Sequence, residues 1–421
     1  MINYDELPHH SILCIDMKSF YASCAAIMRG LDPMECYLAV VGNLQQKGSV
    51  VLAASPKLKK DFGIKTGTRL FEIPKDDRIL IVEAQMASYL KTSTEIVKLF
   101  NQYAPKEDIH VYSVDESFIK VDGLRRLFGD PYTIARKIKD DIKAKFGLPC
   151  TVGIGPNMLM AKLALDLESK KAESGIAEWT YEDVQKKLWP VRPLSKMWGI
   201  GSRLEKSLNR MGIFSVGQLA RHDLKLLEKK FGVMGNQLYH HAWGVDLSDL
   251  GAPILQGQIS FGKSQILMRD YKKEHEIKTV MLEMCEEVAR RARKSRKAGR
   301  TISLGIGYSE SEYGGGFYRS HTIDEPTNIT MVIYEECLKL FRQYYTGKSV
   351  RRISISLSKV TDDTNLQLSL FEPRRDKQRD LGYVVDKIRD RFGSAAILRA
   401  VSYTEAGTAL KRSKLVGGHK A

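Results

Sequence analysis

The chain opens with apolar runs that alternate with helix-period stretches. Ser11–Ile15 and Leu38–Val41 are short continuous apolar runs that read as strands, and Phe20–Met28 between them has helical spacing. A basic, polar stretch covers Ser55–Thr68, followed by a strand at Ile79–Val82 and a long amphipathic helix over Met86–Tyr103. Two strand-like runs, Ile109–Val114 and Ser117–Val121, flank an acidic pair, and a helix at Tyr132–Phe146 leads into a strand at Cys150–Ile154. The alternation predicts a sheet with helices packed on one face.

Further along the pattern changes. Tyr181–Ala242 holds short helices broken by glycine, as at Trp198-Gly199-Ile200-Gly201 and Phe231-Gly232, which predicts a small helical domain. Gly244–Pro253 reads as a linker. Beyond it come strand Gln256–Leu267, helix Glu274–Ala298, strands Thr301–Tyr308 and Phe317–Ile323, helix Asn328–Tyr345 and strand Arg352–Lys359. This βαββαβ order is the ferredoxin-like signature. A polar segment, Thr361–Asn365, opens an appendage with one helix, Leu381–Arg391.

A length of 421 residues suggests roughly two to four domains. No apolar run approaches the roughly 18 residues of a membrane span, and Met1–Pro8 lacks a secretory pattern, so a cytoplasmic protein is expected. Six cysteines form no Cys-x-x-Cys pair and read as reduced thiols. The formal charge of +16 and pI near 9.4 point to a polyanion such as nucleic acid. A basic ribosomal or membrane-surface protein is the alternative that charge alone leaves open.

Candidate chemistry starts at Tyr112-Ser113-Val114-Asp115-Glu116-Ser117-Phe118-Ile119, where adjacent acids sit between two apolar strand halves. Side chains alternate faces along a strand, so both acids serve one site only at a turn or strand end. Two carboxylates about 4 Å apart repel by roughly 4 kcal/mol at an effective dielectric near 20. A divalent cation removes that cost. Taken alone the pair also reads as a solvated hairpin tip. Asp16 alters the balance, because it follows Ile12-Leu13-Cys14-Ile15 at the end of an apolar strand, where an uncompensated charge is expensive. Three carboxylates from two strands suit Mg²⁺, which takes oxygen ligands and completes its shell with water and phosphate.

Three blocks now coincide: Asp16-Met17-Lys18-Ser19-Phe20-Tyr21-Ala22, Tyr112–Phe118, and Thr151-Val152-Gly153-Ile154-Gly155 through Ala161-Lys162-Leu163-Ala164. Together they resemble the signature blocks of the Y-family translesion DNA polymerases, with a UvrX-like or UmuC-like bacterial flavour, from about Leu13 to about Val360. The resemblance implies an α+β multidomain right hand. Palm would be 1–22 and 75–175, small fingers 23–74, a helical thumb with a helix-hairpin-helix 176–243, a linker 244–252, a ferredoxin-like little finger 253–360 and a tail 361–421. It implies a DNA-directed DNA polymerase active in translesion repair and the SOS response. Asp16, Asp115, Glu116 and the Met17 carbonyl would hold two Mg²⁺ ions, with the acids catalytic. Tyr21 would be the steric gate, excluding a 2′-hydroxyl, with Phe20 beside it at the nucleotide.

The family places a ring and an arginine against the triphosphate; aligned on Phe62-Gly63, those positions hold Lys57 and Lys60. Both keep or supply charge without a planar fork. A further triphosphate lysine is Lys170, displaced by about one residue, with Lys171 adjacent. Gly199-Ile200-Gly201 resembles the hairpin of a helix-hairpin-helix, whose glycines admit a DNA phosphate. Residues 253–360 carry 19 basic and 12 acidic side chains, and Arg290, Arg291, Arg293, Lys294, Arg296, Lys297 and Arg300 cluster at one expected helix end. Arg290, Arg293, Lys294 and Lys297 are the expected DNA contacts among them. Gln367-Leu368-Ser369-Leu370-Phe371 resembles a peptide that docks on the β sliding clamp through Gln367, Leu368, Leu370 and Phe371. Primer-template DNA, dNTP and the clamp are thus the implied partners of a monomeric enzyme. A catalytically weak accessory protein bridging DNA and clamp is the alternative, and a nucleotide cyclase, whose palm-like sheet also pairs acids, is disfavoured by the long basic extension.

Overall fold

The run Ile12–Ile15 is apolar at every position because its strand is covered on both faces. The computed structural model describes residues 2–46, 48–251, 260–363 and 373–420, with side chains of 373–376 excepted. The clamp-like residues Gln367, Leu368, Leu370 and Phe371 lie outside the described residues. Two units are formed, one by 1–253 with 419–421 and the other by 254–418.

The first unit begins β1 (Ile12–Met17), α1 (Phe20–Ile27), β2 (Leu38–Val41), β3 (Val51–Ala54), α2 (Pro56–Phe62), β4 (Leu80–Glu83) and α3 (Met86–Phe100). It continues β5 (Ile109–Val111), β6 (Glu116–Lys120), α4 (Arg125–Phe128), α5 (Pro131–Phe146), β7 (Cys150–Gly155), α6 (Met158–Ala164) and β8 (Ile176–Glu178). A five-stranded sheet runs β5-β6-β1-β7-β8, and a three-stranded sheet runs β3-β2-β4. Strands β3 and β8 add to the elements expected from the sequence, and β8, with three residues, is too short to show a period.

Helices cover both faces of the larger sheet, not one. Ile12, Cys14 and Phe118 face Ala161 and Leu165 on one side, while Ile15, Met17 and Ser117 face Ile96, Val97 and Phe100 of α3 on the other. Gly153 and Gly155 let α6 lie directly on β7. A Cβ on Gly153 would fall 2.1 Å from the Ala161 carbonyl oxygen, and one on Gly155 would fall 2.4 Å from the Ala161 nitrogen. Asn157 caps α6 by accepting from Met160 N–H at 2.8 Å. Beyond α6 a π-helical turn, Leu165–Ser169, continues the chain toward β8.

Short helices follow: α7 (Ser202–Asn209), α8 (Val216–Ala220), α9 (Leu224–Phe231) and α10 (Val233–Ala242). Ser215 and Asp223 cap α8 and α9 with their side chains. Ile200, Leu208, Leu219, Leu227 and Leu238 share one buried cluster.

The second unit is β9 (Ser260–Tyr271), α11 (Glu274–Lys294), β10 (Lys297–Tyr308), β11 (Gly316–Thr327), α12 (Thr330–Tyr344), β12 (Val350–Asp362) and α13 (Pro373–Phe392). Its antiparallel sheet runs β11-β10-β12-β9, an edge-to-edge order that element sequence alone leaves open. Ile302, Leu304, Ile353 and Ile355 pack inward with Val280, Met284 and Ile333 of the helices. Helix α11 stops four residues earlier than its pattern suggests. Arg296 takes φ +51° and turns the chain, so Lys297 and Ala298 belong to β10.

Candidate active site

Antiparallel pairing of β1 with β6 sets Asp16 directly opposite Glu116. Directly opposed residues share a face, so the two carboxylates stand side by side. Asp115 lies in the turn before β6. That turn is a hairpin tip, but a fastened one: Met17 N–H donates to the Asp115 carbonyl at 2.9 Å, and Ser113 Oγ donates to Asp115 Oδ1 at 2.6 Å. Glu116 is only 9% exposed, which excludes a solvated tip.

Lysines from the segment that starts in α6 meet these acids. Lys162 Nζ is 2.7 Å from Glu116 Oε1 and 3.1 Å from Asp166 Oδ2. Lys170 Nζ is 2.8 Å from Asp16 Oδ2 and 2.7 Å from Asp166 Oδ1. Cys14 Sγ donates to Glu116 Oε1 at 3.1 Å. The wider π turn absorbs the one-residue displacement of Lys170 and returns its side chain to Asp16. Lys171 has no such contact.

Electrostatics follow from burial. Burial raises the Asp16 pKa; Lys170 opposes that, while Asp115 and Glu116 reinforce it. Burial alone would lower Lys170, but Asp16 and Asp166 outweigh it and raise the ammonium well above its ordinary value. Lys162 behaves alike, burial being outweighed by Glu116 and Asp166. Burial and Glu116 together push the Cys14 thiol up, so it stays a protonated donor.

Among the described residues no three Asp, Glu, His or Cys converge closely enough to hold an ion outright. The donor chemistry nonetheless fits a hard divalent cation: an all-oxygen set of three carboxylates whose mutual repulsion already disfavours ionised Asp16.

Tyr21 stacks on Tyr89 of α3, with centroids 4.8 Å apart and planes 15° apart. Burial and Asp115 raise its pKa, placing the ring on the acid side of α1. Phe20 is 2% exposed, its ring centroid 5.8 Å from that of Tyr21, so it offers no surface to a nucleotide. The structure does not bring Lys57 to the acids: its Nζ is held by Glu35 at 2.8 Å. Lys60 is exposed and makes no acid contact within this cluster. Lys59, which the sequence reading passed over, donates to Ser19 Oγ at 2.8 Å.

Gly199 has φ +90° in the turn before α7, a left-handed conformation that favours glycine, and a Cβ at Gly201 would meet open space. Trp198 at this turn packs against Tyr112, with centroids 5.8 Å apart.

In the second unit, three of the four expected DNA contacts are paired with carboxylates, two of them across to α13. Arg293 is 3% exposed and pairs with Asp386 of α13 through two bonds of 2.7 and 3.0 Å. Arg290 pairs with Asp390 at 2.5 Å. Their role is to fasten α13 to α11, which sequence could not reveal because the partners lie about a hundred residues away. Lys297 pairs with Asp362 at 2.6 Å, whereas Lys294 remains exposed.

The impB/mucB/samB family model matches residues 15–166, its C-terminal domain matches 258–370, and the family's HHH motif matches 181–213. UvrX of Bacillus subtilis (strain 168) is 64% identical over 421 residues, covering 100% of both chains. The chain belongs to this family, the Y-family DNA polymerases. DNA polymerase IV 2 of the same strain is 39% identical to this polymerase over 97% of its length and 98% of the relative's. A Y-family DNA polymerase chimera of Dbh and Dpo4 shares its fold with TM-score 0.66 at 21% identity, over 84% of this polymerase and 99% of that chain. No helix among the described residues is long and apolar enough to cross a membrane.

Sequence reasoning missed Cys14, Lys59, Lys162 and Asp166. The spacing of Lys162, Asp166 and Lys170, four residues apart each time, was the available signal.

Proposed function

We propose that this polymerase copies DNA past damaged template positions by transferring a nucleotide from dNTP to a primer 3′-hydroxyl at Asp16, Asp115 and Glu116. The observation that carries the reading is the register of Asp16 against Glu116, with Asp115 fastened beside them. UvrX, the relative provisionally designated a UV-damage repair protein, supports the link to damage.

Two divalent ions, for which Mg²⁺ suits the oxygen donors, would be held by the three carboxylates and the Met17 carbonyl and would supply charge neutralisation at the reacting phosphate. The chain itself positions. Lys170 brings positive charge to the edge of the acid cluster, where phosphate oxygens arrive. Tyr21, backed by Tyr89, blocks a 2′-hydroxyl by occupying its space.

Residues 1–22 and 75–175 act as palm, 23–74 as fingers, 176–243 as thumb, 244–252 as linker, 253–360 as little finger and 361–421 as tail. Primer-template DNA meets the Gly199–Gly201 turn, exposed Lys294 at the end of α11 and, in the little finger, the open face of the sheet. That face carries Thr301, Ser354, Ser356 and Arg352 opposite the helix-covered core, and small hydroxyl side chains allow close approach of a phosphate backbone. Gln367–Phe371 docks on the β sliding clamp, and the enzyme works in the bacterial cytoplasm as a monomer.

Primer extension on a template containing a UV photoproduct tests this function. The purified protein is expected to extend past the lesion with dNTPs, and Tyr21→Ala to accept rNTPs as well. Absence of any extension with Mg²⁺ or Mn²⁺ would overturn the reading.

A further inference from the structure

We propose that Asp166 is a positioning residue of the acid centre: it gives the ammonium groups of Lys162 and Lys170 a partner other than Glu116 and Asp16, and so frees those two carboxylates for a divalent cation. This role rests on the polymerase reading and extends it to a fourth carboxylate that holds no cation itself.

Asp166 lies in the π turn Leu165–Ser169, four residues after Lys162 of α6 and four before Lys170. Each of its oxygens meets one ammonium group. Oδ2 is 3.1 Å from Lys162 Nζ, and Oδ1 is 2.7 Å from Lys170 Nζ. The same two groups reach the acids of the sheet, Lys162 to Glu116 Oε1 at 2.7 Å and Lys170 to Asp16 Oδ2 at 2.8 Å. Charge therefore alternates along Glu116, Lys162, Asp166, Lys170 and Asp16. The pairing of β1 with β6 sets the two ends of that series opposite each other. Asp115 stands outside it, with Ser113 donating to its Oδ1.

Burial decides what Asp166 contributes. The side chains of Lys162 and Glu116 are 9% and 10% exposed. Were Glu116 to turn its charge toward a cation with no second carboxylate at Lys162, a buried ammonium group would be left unpaired, which is strongly unfavourable. Asp166 is 31% exposed, so water helps to hold its own charge while it pairs with Lys162. Lys170 is 41% exposed and has water as a further partner, so the need for Asp166 is greater on the Glu116 side. With both oxygens taken by ammonium groups, Asp166 acts on the acid centre only through the two lysines.

The test follows Mn²⁺, an ion suited to carboxylate oxygens, through the electron paramagnetic resonance signal of the free ion in titrations of full-length protein without DNA or nucleotide. Asp166→Asn keeps the shape of the side chain and removes its charge. It is expected to weaken Mn²⁺ binding about tenfold, as for partners that orient metal ligands. Asp166→Glu should restore most of the affinity. Primer-template affinity and the thermal midpoint in EDTA should match the parent in both variants, whereas a purely structural role would lower the midpoint and leave Mn²⁺ affinity alone. If Asp166→Asn fails to fold, Asp166→Ser, which admits water beside Lys162, is read in its place against the same expectations. Unchanged Mn²⁺ affinity in the uncharged variant, no recovery in Asp166→Glu, or an equal loss of DNA affinity would overturn the proposal. Asp16→Asn separates this from the reading beneath it: Mn²⁺ binding by that variant at the parental affinity would instead overturn the metal assignment of the acids.

Discussion

Lys170 Nζ bridges Asp16 Oδ2, at 2.8 Å, and Asp166 Oδ1, at 2.7 Å. One ammonium group thereby joins the end of the central strand to the segment that follows α6. The pairing does not fully offset the burial of Asp16, whose pKa stays raised. The folded protein therefore binds that proton more tightly than the unfolded chain does. Ionised Asp16 costs stability, and the cost grows as pH rises from the ordinary carboxylate value to the folded one. In metal-free buffer, Asp16→Asn should melt higher than the parent at pH 7, and the difference should vanish below about pH 4. Thermal midpoints across pH in EDTA check this; a lower midpoint for Asp16→Asn at pH 7 would contradict it.

Lys162 and Glu116 form a pair with side chains 9% and 10% exposed. Removing one partner strands a buried charge. Lys162→Met should cost about 3–5 kcal/mol in urea unfolding. Adding Glu116→Gln to that variant should recover part of the loss, because the stranded charge is gone. A double variant less stable than the single one would refute the pairing.

Arg293 gives a stability prediction where sequence suggested a DNA contact. Arg293→Ala should destabilise the second unit by about 3–5 kcal/mol, the cost of breaking a buried pair. Asp386→Asn should also destabilise it, through loss of the same two bonds. Neither should change the salt dependence of DNA binding, whereas Lys294→Ala should lower the slope by about one phosphate contact. Fluorescence anisotropy across salt concentrations distinguishes the two roles.

Gly153 has no room for a methyl group. Its neighbours are backbone atoms of Ala161 and Leu165, which cannot rotate aside. Gly153→Ala should lift α6 from β7, destabilise by about 3 kcal/mol or more, and lower activity through displaced Lys162. Parent-like melting and extension would refute the close packing.

Much of this fold was legible from local pattern. The apolar run before Asp16, the acids between two strand halves and the βαββαβ order all depend on neighbours in sequence, where period and spacing operate. Register was not legible, and register is what sets Asp16 opposite Glu116. Long-range partners were equally hidden: Arg290 and Arg293 have the composition of a DNA-binding helix end, and only contact with Asp390 and Asp386 assigns them to packing. On α2, spacing to Phe62-Gly63 singled out Lys57 and Lys60, and only the folded chain shows Lys57 held by Glu35 and Lys59 reaching Ser19. Cys14 reads as core in any sequence, since its thiol acquires meaning only from Glu116 across the strand pair.

The central claim is that Asp16, Asp115 and Glu116 form a catalytic centre for nucleotide transfer. Primer extension by Asp115→Asn, measured alongside its affinity for the same primer-template, tests it most directly. The account predicts that the parent extends the primer with dNTPs and Mg²⁺, while the variant binds DNA equally well and extends it at least about a hundredfold more slowly. Extension by Asp115→Asn at the parental rate would contradict it.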